Sequence, residues 1–136
     1  MAKVSRPLIA VPTDVKPFEN YVWHSAPGQY LAAAIDVAEV TPLLVPSFVA
    51  KMDLDIILDS VDGLLVTGSK SNLNPPPYGV QPSAAFEPYD HARDATSLQL
   101  IRAAIAPRVP VTAHCRRPPE LCVGPGGAMV PSSPVL

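Results

Sequence analysis

Cys115 stands where a short β-branched run meets residues able to start a helix, in Val109-Pro110-Val111-Thr112-Ala113-His114-Cys115-Arg116-Arg117. A strand that turns sharply into a helix presents one reactive side chain at the carboxyl edge of a sheet, the layout of a nucleophile elbow. A cysteine gains twice there. The helix N-terminus favours its thiolate, and neighbouring backbone N–H groups are placed to hold an oxyanion. The plainer alternative is a small buried hydrophobe, the common state of an intracellular cysteine. The strand before Cys115 and Arg116 after it favour the reactive reading.

A base for that thiol is harder to find. The sequence holds three histidines, and none follows Cys115. His114 adjoins the cysteine, but successive strand side chains point to opposite faces, so it is expected to face away. His24 and His91 precede expected helices and read as solvated or capping residues. Thr67-Gly68-Ser69 leaves an apolar run at a glycine, which lets the backbone approach a ligand closely. There the Ser69 N–H is a candidate oxyanion donor, with the Arg116 N–H as the second. The tripeptide alone fits an ordinary turn as well. Ser69-Lys70-Ser71-Asn72 lacks the glycine spacing of a phosphate loop. Arg93 and Asp94 open a helix, where an acid favours the dipole. Tyr78 lies in a loop of more than 20 residues between Gly68 and Asp90; loops that long in compact domains are often functional.

Four apolar runs, at 8–11, 43–45, 64–66 and 109–113, predict strands covered on both faces. Helical spacing predicts helices over 26–40 (Tyr30, Leu31, Ala34, Ile35 and Ala38), 53–60 (Leu54, Ile57 and Leu58) and 91–106 (Ala95, Leu98, Ile101, Ala104 and Ile105 inward). This alternation predicts an α/β fold, a parallel sheet with helices on both faces and ligands outside the carboxyl ends of the strands. The loop after Thr67 and the turn at Cys115 both fall at that edge. At 136 residues the chain is one domain's worth, and 48% apolar against 16% charged residues marks it as globular rather than disordered. A net charge of −2 gives no reason to expect nucleic acid or an anionic membrane as partner. No apolar run reaches the ~20 residues a membrane span needs, and Pro7 and Pro12 interrupt the only candidate signal segment. Two cysteines are too few for a disulfide framework, so a cytoplasmic location is expected. Five of the 18 prolines fall in the last 19 residues beside three glycines, so about 117–136 is expected to be poorly ordered.

Several pieces recur together at specific spacing: Arg6-Pro7-Leu8-Ile9, Tyr30, Pro42-Leu43-Leu44-Val45-Pro46 and Asp62-Gly63-Leu64-Leu65-Val66-Thr67-Gly68. Ser71-Asn72-Leu73-Asn74-Pro75, Tyr78-Gly79, Asp90, Arg93-Asp94, Leu100-Ile101, Pro110-Val111, Cys115-Arg116, Glu120-Leu121 and Gly126-Gly127 follow. In this series the chain resembles the class I glutamine amidotransferase-like superfamily, and within it the γ-glutamyl-γ-aminobutyrate hydrolase group of cysteine hydrolases. The resemblance implies a flavodoxin-like fold and a catalytic Cys115. It also implies oxyanion donors at Ser69 and Arg116, and substrate binding around Gly68, Asn72, Tyr78 and Arg93. The implied reaction is hydrolysis of a γ-glutamyl amide through a thioester, in polyamine (putrescine) breakdown, with neither cofactor nor metal.

The group's base is a histidine oriented by an acid, both well downstream of the elbow. Residues 1–136 are therefore expected to form the N-terminal portion of one such domain, incomplete at its C-terminus and inactive alone. Two departures add to this: Arg117 stands where the group has glycine, and Pro119 where it has glutamine. An incomplete sheet would leave apolar surface open, inviting self-association. The alternatives are a non-catalytic remnant or interaction module of the same fold, and a small domain binding a nucleotide or flavin. The missing glycine fingerprint counts against the last.

Overall fold

The structure, a computed structural model, describes residues 5–68, 91–105 and 109–113. Leu8–Pro12 forms β1, followed by Asp14–Phe18 (β2) and Tyr21–Ser25 (β3). Thr41–Val45 (β4), Gly63–Val66 (β5) and Val111–Ala113 (β6) complete the strands among the described residues. Four of them make one sheet in the order β4-β1-β5-β6. Every neighbouring pair in it is parallel: Leu8 lies opposite Thr41, Ile9 opposite Gly63 and Val66 opposite Ala113. The predicted parallel sheet is therefore present, but β4 lies at an end of the strand order and its Leu43 and Leu44 are exposed rather than covered as expected.

Alternation along these strands sorts side chains between two layers. Ala10, Leu64 and Val66 join Leu58, Leu100, Ile101 and Ala104 in the core cluster. Leu58 comes from helix α2 (Leu54–Ser60), and the last three from helix α3 (His91–Ile105). Ile9 and Leu65, one residue out of step, line the other face together with Ala33 and Ala34 of helix α1 (Gly28–Asp36). Each fully buried Leu or Ile contributes roughly 1.5–3 kcal/mol, so the α2–α3 layer is the main source of cohesion.

The helices differ from their sequence-based expectations in instructive ways. α2 starts as predicted, because the Asp53 carboxylate caps it, accepting from the Asp55 N–H at 3.0 Å and the Ile56 N–H at 3.4 Å. α1 ends at Asp36, short of the expected residue 40. Glu39 adopts a left-handed conformation (φ 54°), and the Val40 N–H donates back to the Ala34 carbonyl at 3.1 Å. Unwinding there lets the chain enter β4 at Thr41. Only Ala34 is buried on α1, and Ile35, expected inward, is 42% exposed. α3 buries Leu98, Ile101 and Ala104 as expected, whereas Ile105 is 49% exposed.

The β2–β3 hairpin has no counterpart in the sequence-based expectations. Its strands pair antiparallel from Asp14 opposite Ser25 to Phe18 opposite Tyr21. The two turn residues, Glu19 and Asn20, both have positive φ (47° and 63°), the requirement of a type I′ turn. Asn accepts that conformation readily and Glu does not, so the pair lacks the usual Asn-Gly or Asp-Gly signal. His24, expected before a helix, lies in β3. The ribbon carries exposed Phe18, Tyr21, Val22 and Trp23. Tyr21 and Trp23 meet edge to face, and the Trp23 Nε1–H donates to the Phe18 carbonyl.

One sheet face remains partly open among the described residues. An apolar groove of about 480 Å³ runs between α1 and the face of β5 and β6, with Ile9, Tyr30, Ala34, Leu65 and Thr112 among its walls. Pro7, Asp62 and Pro110, which also line it, each precede a strand. The groove therefore lies towards the amino ends of the strands.

Candidate active site at the carboxyl edge of the sheet

Parallel strands bring four strand ends to one edge, followed among the described residues by Thr13-Asp14 after β1, Pro46-Ser47 after β4 and Thr67-Gly68 after β5, with Ala113 ending β6. These three exits are tied together by buried polar groups. The Thr13 Oγ1–H and N–H both donate to the Val45 carbonyl, at 2.9 and 3.2 Å. The Ser47 Oγ–H donates to the Thr13 carbonyl at 2.7 Å. Thr13, Asp14, Ser47 and Thr67 are all buried. Buried polar groups are tolerated only when bonded, so this interlock makes the edge a fixed platform rather than a set of loose loops.

The cation at its centre is Arg93, from the first turn of α3, with no exposed surface. One guanidinium nitrogen, Nη1, pairs with the Asp14 carboxylate. The other, Nη2, donates to the Thr67 carbonyl at 3.1 Å and lies 3.4 Å from Thr67 Oγ1. A buried charge is sustained only by such pairing, and the planar fork of arginine suits two acceptors at once. Asp94, Thr96 and Ser97 are buried beside it. The two hydroxyls are satisfied within the helix: Thr96 Oγ1 donates to the Ala92 carbonyl and Ser97 Oγ to the Arg93 carbonyl, each at 2.9 Å. The polar first half of α3 thus faces the site, and its apolar second half faces the core.

Of the residues singled out from sequence, Gly68 and Arg93 are described, and both are buried at this edge. Cys115, Ser69, Asn72, Tyr78 and Arg116 lie outside the described residues, as do His114, Arg117, Pro119 and residues 117–136. β6 ends at Ala113, two positions before Cys115. Asp14 and Ser47 enter the cluster without having been foreseen, and Thr67 had been read only as part of the turn after β5. Asp14 lies 79 residues before Arg93 in the chain, and no local pattern links them. A charged residue in the first turn of a helix is a signal of burial only once its partner is known.

His24 can be assigned a role from its contacts. The Ser47 N–H donates to His24 Nδ1 at 2.9 Å, and the imidazole lies against the Phe48 ring, 4.3 Å between centroids. A neutral imidazole has one nitrogen free to accept. Nδ1 of His24 is thereby engaged as the acceptor of the Ser47 N–H. His24 therefore fastens the hairpin to the β4 exit. His91, the first residue of α3, is exposed.

Comparison with known proteins agrees with this architecture. Residues 7–133 match the peptidase C26 family. The chain is 32% identical over 130 residues to a γ-glutamyl-γ-aminobutyrate hydrolase of Escherichia coli O157:H7, and 31% identical to the PuuD γ-glutamyl-γ-aminobutyrate hydrolase of E. coli K12. Each alignment covers 93% of this chain and 49% of the relative. A Mycobacterium tuberculosis protein provisionally named a glutamine amidotransferase is 30% identical over 92% of this chain and 42% of its own length. The chain spans about half the length of these curated relatives. The match extends from the residue before β1 through the strand that leads to Cys115, and on that span the chain belongs to the peptidase C26 family.

Proposed function

We propose that the chain supplies the nucleophile-bearing portion of a γ-glutamyl amide hydrolase, residues 1–136 being the N-terminal part of a single glutamine amidotransferase-like domain. The observation that carries this reading is the similarity to γ-glutamyl-γ-aminobutyrate hydrolases along 93% of the chain. It fits a parallel sheet whose buried polar platform lies at the strand ends leading to Ser69 and Cys115.

In this reading the Cys115 thiolate adds to the γ-carbonyl carbon of the substrate. The Ser69 and Arg116 N–H groups hold the oxyanion, and Gly68, Asn72 and Tyr78 border the γ-glutamyl group. Collapse breaks the C–N bond, the amine leaves with a proton, and a γ-glutamyl thioester remains. Water then attacks the thioester, releasing glutamate and returning the thiol. A side-chain nucleophile and backbone donors suffice for these steps without a cofactor. Proton transfer needs a histidine, and His24 is engaged with Ser47. The base then comes from a downstream segment of the family type, and the 136-residue chain alone does not turn over.

Labelling tests the nucleophile independently of turnover. A γ-glutamyl chloromethyl ketone is expected to alkylate Cys115 far faster than Cys122, with γ-glutamyl-γ-aminobutyrate protecting, as read by peptide mass spectrometry. Equal labelling of the two cysteines without protection would contradict the assignment.

A further inference from the structure

We propose that Arg93 is a positioning residue, not a substrate contact, and that Asp14 is the residue that aims it. This rests on the hydrolase reading above and assigns a role to a pair that reading does not use. A side chain with no exposed surface offers nothing to a substrate without rearrangement. Nη1 is paired with the Asp14 carboxylate and Nη2 with Thr67. What it holds is the Thr67–Gly68 peptide just after β5. A trans peptide is planar, with its C=O and N–H pointing in opposite directions. Drawing the Thr67 carbonyl onto Nη2 at 3.1 Å therefore turns the Gly68 N–H away from the guanidinium.

Gly68 is itself buried, and among the described residues no group accepts a hydrogen bond from its N–H. The same peptide plane fixes the direction of the Gly68 N–H. Asp14 follows β1, Thr67 follows β5 and Arg93 opens α3, so one ion pair links the two central strand ends to the helix. Asp14 supplies the counter-charge that keeps the fork in one orientation, because a planar guanidinium held at one nitrogen presents the other in a defined direction.

The test has two arms. In the 136-residue chain, the Gly68 amide is followed by ¹⁵N NMR and hydrogen exchange in Arg93→Lys, Arg93→Ala and Asp14→Asn. A displaced Gly68 resonance and exchange faster by about tenfold or more are expected in all three, with the α2–α3 core amides unchanged. Methylguanidine should restore Arg93→Ala. An unmoved Gly68 amide in the folded variants would overturn the proposal and leave Arg93 a core ion pair only. If Arg93→Ala and Asp14→Asn do not fold, Arg93→Lys, which keeps the charge and loses the fork, decides the same question.

In the chain joined to a family-type C-terminal half, Arg93→Lys should lower kcat by about 10²-fold, comparable to loss of an oxyanion donor, with KM little changed. Raised KM at unchanged kcat would identify a substrate contact and overturn the proposal. Absence of turnover in the joined parent would count against the hydrolase reading, while the Gly68 measurements would still decide the positioning role.

Discussion

Asp14 and Arg93 show how little of a site one side chain makes. Each would be costly to bury alone, and their pairing is what permits both at the carboxyl edge. Removing one partner should therefore be worse than removing both. Asp14→Leu or Arg93→Met alone is expected to cost about 3–5 kcal/mol, and the double variant substantially less than the sum; urea unfolding of the four proteins checks this. His24→Ala should cost about 1–2 kcal/mol through the unpaired Ser47 N–H and the lost ring contact. The iodoacetamide reactivity of Cys115 should not change, since His24 is not its base. A lower rate in the variant would restore His24 as a candidate base. Gly68 and Arg93, singled out from sequence, are both buried at the carboxyl edge. The ion pair was not, because its members are 79 residues apart and burial of a charge leaves no periodic trace.

At the scale of elements, the four sheet strands and α2 followed from apolar runs and helical spacing, and the structure adds the Asp53 cap. Asp53→Ala should lower stability by about 1 kcal/mol, visible as a reduced melting temperature. The hairpin escaped notice because Glu19-Asn20 is a poor type I′ sequence in a good type I′ conformation. Replacing it with Asn-Gly should stabilise the chain by roughly 0.5–1 kcal/mol; no gain would mean that the hairpin turn is not formed as described. The early end of α1 was hidden for a related reason. No glycine marks it, and Glu39 takes the left-handed conformation instead. Helical periodicity therefore overran the true terminus by four residues. Local pattern finds the strands, misjudges burial at helix ends such as Ile35 and Ile105, and reads positive φ only when glycine or asparagine announces it.

For the molecule as far as its described residues go, the parallel sheet has one well-covered face and one that α1 covers only in part, with an apolar groove beside it. Exposed apolar surface of this kind promotes association, so the isolated chain should sediment as concentration-dependent oligomers. A single monomer boundary with a sharp cooperative melt would contradict that expectation. The central claim is that Cys115 acts on γ-glutamyl amides with a base supplied from outside these 136 residues. The direct measurement is glutamate release from γ-glutamyl-γ-aminobutyrate by two proteins side by side. One is the chain as it stands; the other carries Arg117→Gly, Pro119→Gln and a family-type C-terminal half. Turnover only in the second, abolished by Cys115→Ala, is the expected result; turnover in the short chain that disappears with His114→Ala would contradict the claim.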